Sequence, residues 1–305
     1  MTPLDHCAAL VAEADPDRFL SAMTAPVAGR ARLLPLYAVF VEIARAPWAS
    51  DEPMIGLMRL QFWEDGLAEI CAGRPPRAHP VLEALAPLAD ACAMRDFAAL
   101  IAARRCDRDA AHPPDPAALC DYLIQSAAVP MRMAARVLAG RALSAPPERN
   151  TAGKAAAGNI EAGDRASGNS TLGDAALGDA AGGIGFAFGA ARLLRALPAL
   201  SARGSMPLPG VSSAARLALA EGQTLPELGA AVACLGKVAR DRHRAGLLAA
   251  RRAPQTTYPA LRAAWRTGRI LGKARPGVDL LRDLGEESEF ARRVSLIWRQ
   301  ALGRV

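Results

Sequence analysis

Aromatic residues make up only 5% of this 305-residue chain, and lysine occurs three times, at Lys154, Lys237 and Lys273. Of its 37 basic residues the other 34 are arginine. No long basic run with interleaved aromatics appears, and that excludes the stacking platforms of most nucleic-acid binders. No CxxC is present. The six cysteines, Cys7, Cys71, Cys92, Cys106, Cys120 and Cys234, come no closer than fourteen positions apart. Reduced, mostly buried cysteines in a cytoplasmic protein are therefore expected. The four histidines, His6, His79, His112 and His243, have no ligand spacing, which argues against zinc. Period-2 strand patterns are missing. So are the GxSxG, HExxH and Walker motifs. The N-terminus carries early acids and no n-region or h-region, so no secretory signal is expected. No apolar run reaches the roughly 20 residues of a membrane span. Peripheral membrane contact stays open.

What is present points to helices. Hydrophobic residues are 51% of the chain, much of this is alanine, and β-branched residues are sparse. Asp15-Pro16-Asp17 can start one helix. Ser50-Asp51-Glu52-Pro53 reads as another start, with a capping residue, acids and proline where no backbone donor is needed. That helix is expected to end before Gly73-Arg74-Pro75-Pro76. Later helices are expected over about 184–203, 213–220, 225–252, 255–267 and 286–302. Residues about 141–182 are rich in Gly, Ala, Ser, Asn and Asp and bury too little to offset their ordering entropy. They read as a mobile connection inside one domain spanning 1–305. A linker between two domains is the alternative. The net charge of +7 permits contact with anionic lipid, diphosphate or nucleic acid without choosing among them.

On a helical wheel Ile55, Phe62, Trp63, Gly66 and Ile70 share a face, with Arg59 in its middle. Either Arg59 snorkels or pairs locally beside a core Trp63, or it points into a cavity and receives an anion or a carboxylate such as Glu42 or Asp51. Gly183-Ile-Gly-Phe-Ala-Phe-Gly189 lacks the preceding strand of a dinucleotide fingerprint, so close helix packing is the better reading. Glu64 and Asp65 are adjacent on a helix face, where acids are most often simply solvated.

The order of the segments resembles the squalene/phytoene synthase superfamily. The resemblance rests on Arg32-Leu-Leu-Pro-Leu-Tyr-Ala-Val-Phe40, on Ser50-Asp-Glu-Pro through Leu57-Met-Arg-Leu-Gln-Phe-Trp-Glu-Asp65, on His79-Pro80, on the helix of Tyr122, and on Leu193-Leu-Arg-Ala-Leu-Pro198 with Pro207-Leu-Pro209. It covers residues 15–210 well and the later helices more loosely. It implies an all-α isoprenoid-synthase-like helical bundle around a central cavity. Aligning on Tyr37 puts the first acidic motif of such synthases at Ala44, Arg45 and Trp48; aligning on Leu194-Arg195 puts the second at Ala196 and Leu200. Magnesium takes oxygen ligands. These residues offer none, and Arg45 would repel the metal. Of the family's carbocation-guiding tyrosines only Tyr122 remains.

The loss of both motifs resembles a non-catalytic branch of the family, typified by mitochondrial complex I assembly factor 6 and its alphaproteobacterial relatives. Matching residues are Glu42-Ile-Ala-Arg45, Glu52-Pro53, Arg59-Leu-Gln-Phe-Trp63 and Leu193 to Pro198; Glu64 and Ser205 depart from its pattern. The resemblance implies a pseudoenzyme that helps assemble respiratory NADH dehydrogenase (complex I). Its partners would be complex I subunits or assembly intermediates, with a prenyl or lipid ligand and a peripheral position on the inner membrane. The cavity candidates are Tyr37, Glu42, Arg45, Arg59, Trp63, Tyr122 and Arg195, with no metal and no cofactor. The alternatives are a divergent prenyl-diphosphate-using transferase, which would need magnesium and converging acids among Glu42, Asp51, Glu64 and Asp65, and a plain structural helical protein.

Overall fold

The computed structural model describes residues 1–90, 93–108, 113–143, 165–284 and 288–305. Among them there are helices and turns and no strand. The described residues form fifteen α-helices: α1 (Pro3–Ala14), α2 (Pro16–Met23), α3 (Val27–Arg45), α4 (Pro53–Cys71), α5 (Pro80–Leu85), α6 (Ala93–Arg105), α7 (Pro116–Leu123), α8 (Val129–Leu138), α9 (Arg165–Ala202), α10 (Ser213–Ala220), α11 (Pro226–Ala250), α12 (Tyr258–Leu261), α13 (Thr267–Lys273), α14 (Leu280–Asp283) and α15 (Glu289–Ala301). Proline stands in the first turn of α1, α2, α4, α5, α7, α8, α11 and α12, where the backbone nitrogen has no helical acceptor. Side-chain caps close the starts. Thr2 and Asp5 form a reciprocal capping box, and Asp15, Asp115, Ser212 and Asp279 accept from the first turns of α2, α7, α10 and α14.

The start of α4 differs from its sequence reading. The position before Pro53 is Glu52, whose side chain makes no cap bond. Ser50 turns back instead, its Oγ accepting from the Glu52 nitrogen at 3.2 Å. The wheel is also rotated. The buried residues of α4 are Gly56, Leu60, Trp63, Gly66, Leu67, Ile70 and Cys71, whereas Ile55 and Arg59 are exposed.

The long helix α9 organises the bundle. It packs along α11, the turn between α7 and α8, α8 and α10. Glycine makes the closest approaches possible. A Cβ on Gly183 would lie 2.5 Å from the Arg242 carbonyl oxygen, and one on Gly246 would lie 2.7 Å from the Ile184 nitrogen. Residues 165–182, read from sequence as part of a mobile connection, are instead the first half of α9. Leu177, Ala180 and Ala181 are buried and tie this half to the bundle, while Gly173, Gly178 and Gly182 face open space. Residues 144–164 of that expected connection lie outside the described residues. Leu177, Ala180, Ile184 and Phe188 join the core built by α1, α3, α4, α5, α6 and α8. Phe186, Ala190, Leu194 and Leu197 join a second cluster with α10, α11 and α13.

Within α9, Gly173–Ala202 is long and apolar enough to cross a membrane, with a mean hydropathy of 1.2, but 61% of its apolar stretch is buried by neighbouring helices. It is the central helix of the bundle. Scattered aspartates and arginines hide that length in the sequence.

Candidate functional site

Two helical stripes face each other across a cavity of about 310 Å³. The last turns of α3 and the 3₁₀ turn that follows supply Phe40, Val41, Ala44, Arg45 and Trp48. The second half of α9 supplies Phe188, Gly189, Arg192, Leu193, Ala196 and Leu200. Both sets repeat at three- and four-residue spacing, so each lies on one face of its helix. Leu100 and Arg104 of α6, Tyr122 and Leu123 of α7, and Ala14 and Asp15 at the α1–α2 corner complete the wall. A π-turn at Ile124–Ala128 joins α7 to α8 and brings Ser126 and Ala127 to the same wall. Gly185 and Gly189 admit this turn. Their added Cβ atoms would meet Ala128 Cα at 2.7 Å and Ala127 Cβ at 2.6 Å.

The polar groups inside form two tied clusters. Asp15, capping α2 through the Arg18 backbone nitrogen at 3.1 Å, also accepts from the Arg18 guanidinium at 3.1 Å and from Arg192. Burial by itself would raise the Asp15 carboxyl; the charges of Arg192 and Arg18 outweigh it and hold the group below the usual carboxylate range. The Arg18 guanidinium lies 5.6 Å from the ring centres of Tyr37 and Phe40 and 5.3 Å from that of Phe188. In the second cluster Arg104 donates to Asp107 at 3.1 Å and to the Tyr122 hydroxyl at 2.8 Å, and that hydroxyl donates to Asp107 at 2.8 Å. Burial is the largest influence on Tyr122 and pushes its hydroxyl up. The cavity lining thus holds four arginines, Arg18, Arg45, Arg104 and Arg192, against two aspartates that are already paired.

A shallower hollow shares Trp48 and Ser205 with the cavity and adds Ser50, Asp51, Arg108, Arg203 and Gly204. Arg108 donates to the Ser50 and Asp51 carbonyls at 2.6 and 2.8 Å, which pins the connection between α3 and α4. Arg108 and Arg203 lie 5.9 and 5.5 Å from the Trp48 ring centre.

The sequence candidates divide. Arg45 and Tyr122 line the cavity. Tyr37 is buried beneath Arg18, one layer behind the wall. Trp63 is a core residue, edge-on to Phe62 and His79 at 5.5 and 4.9 Å. Arg59 is exposed, which decides against its reading as a cavity group; α4 turns that side of its first turns outward. Glu42 sits on the far side of α3, where its charge acts on His79. Arg195 is half-buried but off the wall, one turn of α9 from Arg192, which occupies the place expected for it. Asp15, Arg18, Arg104, Asp107 and Arg192 were not singled out from the sequence. The Asp15-Pro16 helix start was the one visible sign, and it marked Asp15 only as a cap.

The carboxylates that a prenyl-transferring enzyme would use for magnesium do not assemble. Ala44, Arg45, Trp48, Ala196 and Leu200, the aligned motif positions, all face the cavity. Asp51 lines only the outer hollow, Glu64 pairs with Arg105, and Asp65 with Arg77. Among the described residues no three His, Cys, Asp or Glu side chains are grouped to hold a metal ion. The donor set does not fit a magnesium cluster.

The squalene/phytoene synthase family model matches residues 11–295. The chain belongs to this family. Squalene/phytoene synthase folds also match in three dimensions. A dehydrosqualene synthase crystallised with a ligand superimposes with a TM-score of 0.71 at 19% identity, covering 98% of this chain and 95% of that one. The squalene synthase HpnC from Alicyclobacillus acidocaldarius gives 0.63 at 17% identity over 88% and 92%. At these identities the likeness is one of fold. Curated relatives match a shorter stretch. Human NADH dehydrogenase (ubiquinone) complex I assembly factor 6 is 32% identical over 80 residues, 26% of this chain and 24% of its own. The Bos taurus protein of the same name is 31% identical over 78 residues, 26% and 23% of the two chains. The match thus spans about a quarter of those relatives.

Proposed function

We propose that this chain is a non-catalytic squalene/phytoene synthase relative: a binding or assembly factor for respiratory NADH dehydrogenase, peripheral to the membrane, whose cavity holds an apolar ligand with an anionic head. One observation carries the reading. All five aligned motif positions face the cavity, and they bring one arginine, one tryptophan, two alanines and a leucine where metal-binding acids belong. The cavity itself persists, with Phe40, Val41, Leu100, Leu123 and Leu193 as apolar wall and Arg45 and Arg192 as positive charge. Its size falls at the small end of ligand pockets. Guanidinium groups can hold a diphosphate or phosphate directly through paired N–H donors, without a bridging metal. The local likeness to assembly factor 6 supports the choice of partner.

The test has two arms. Purified protein is incubated with farnesyl diphosphate, with magnesium or with a chelator. The expected result is binding that survives the chelator, weakens roughly tenfold in Arg192→Gln, and releases no pyrophosphate. Magnesium-dependent pyrophosphate release would establish the prenyl-transferase alternative instead. In the second arm a deletion strain is assayed for NADH-driven quinone reduction. Assembly function predicts a several-fold loss restored by the gene, and a strain indistinguishable from its parent removes complex I from the proposal.

A further inference from the structure

Helix α15 is inside out. Its inward face carries the polar anchors: Arg292 pairs with Asp17 at 3.1 Å, Ser295 accepts from the Trp265 indole at 3.1 Å, and Arg299 donates to the Val305 carbonyl at 2.7 Å. Leu296, on the same side, is buried. The outward face carries Val294, Ile297 and Trp298, which are 47, 65 and 67% exposed, and Leu302 just beyond is 47% exposed. Residues 294, 297 and 298 fall on one side of the helix, with Leu302 just past its end, so these groups form an apolar ridge in water. A ridge with an exposed tryptophan at its centre marks a contact surface.

Charge says which contact. The acids of this segment, Glu286, Glu287 and Glu289, stand at or before the first residue of α15; from Phe290 to Val305 there is none, against four arginines, Arg292, Arg293, Arg299 and Arg304. Arg293 and Arg304 are exposed beside the ridge. Arg269 of α13 and Arg304 lie close enough to Arg299 for their charges to act on it, so positive charge is concentrated at this end of the molecule. An exposed ridge of tryptophan and aliphatic residues flanked by arginine suits the plane of an anionic lipid surface. Arginine also meets lipid phosphate with paired donors.

We propose that α15 is a membrane-docking helix, laying Val294, Ile297 and Trp298 into the headgroup layer of an anionic bilayer while Arg304 meets lipid phosphate. The proposal rests on the peripheral-membrane part of the reading above and gives it a surface.

The experiment is flotation of the full chain with vesicles of phosphatidylcholine alone or with about one third phosphatidylglycerol. The expected result is at least roughly tenfold more binding to the anionic vesicles, reduced several-fold by 0.5 M salt. The double variant Ile297→Asn, Trp298→Asn should lose that binding while keeping its circular dichroism spectrum, because both side chains are exposed. Brominated acyl chains should quench the parent's tryptophan fluorescence and not that of Trp298→Phe. A parent that ignores both vesicle types refutes the peripheral-membrane reading and this surface together. A parent that binds equally well with the variant residues refutes the surface alone. A parent dimer that the double variant converts to monomer assigns the ridge to a second copy of the chain and overturns the proposal.

Discussion

Single residues here often serve two ends. Asp15 caps α2 and pairs with two arginines in the cavity wall. His243 on α11 is a quieter case. Burial, followed by the charge of Arg299, lowers its imidazole from 6.5 to about 4. The folded protein therefore resists protonating a group that the unfolded chain protonates readily. Between those two values the unfolded state binds more protons, so stability falls as pH drops from 6.5 towards 4 and is unaffected by this group above 6.5. Denaturant titrations at pH 7 and pH 4.5 should differ by about 2 kcal/mol more in the parent than in His243→Gln, allowing for partial exposure. Equal differences would mean that His243 is solvated and titrates normally.

The same scale shows what the sequence could convey about the site. Arg45 was legible because the motif alignment fixes a position on α3. Arg195 was not, because an alignment of residues does not state helix rotation, and the arginine one turn earlier faces inward. Arg192 meets Asp15 across 177 positions, a pairing that no local pattern encodes. Arg104, Asp107 and Tyr122 lie closer in the chain, yet a triad over two helices and a loop has no spacing rule to betray it.

At the scale of elements the decisive contact is α9 against α11. Its glycines do not all do the same thing. Gly183 is pressed against backbone, whereas Gly178, one and a half turns earlier, has open space where a Cβ would stand. Gly183→Ala should cost about 2 kcal/mol or more, since a carbonyl cannot swing aside as a side chain can. Gly178→Ala should stabilise by roughly 0.5 kcal/mol through helix propensity. Thermal melts of the two variants should move in opposite directions. Melts that move together would mean that the two helices are not in close contact. Residues 165–182 read as a connection because their glycine, serine, asparagine and aspartate lower helix propensity and hydrophobicity; packing against neighbouring helices, which no local pattern states, holds them in α9. At the α4 start Ser50 accepts from the Glu52 nitrogen, because the following position, Pro53, has no N–H to offer.

For the whole molecule, α9 contributes side chains to both hydrophobic clusters. Neither cluster keeps its packing if that helix leaves. Unfolding should therefore be a single transition, with far-ultraviolet circular dichroism and tryptophan fluorescence tracing the same midpoint. Two separated midpoints would make the segment between α8 and α9 a linker between domains. The all-α bundle was readable in advance because alanine-rich segments, proline starts and glycine stops repeat along the chain and agree with one another. The cavity was readable only through resemblance.

Arg45 carries one last consequence. A magnesium ion is borrowed from the solution, and a site built on it answers to the cell's metal supply. A guanidinium is attached to the chain when the ribosome makes it. The positive potential at this cavity mouth is therefore set by translation, is beyond the reach of any chelator, and is tuned from outside only by ionic strength.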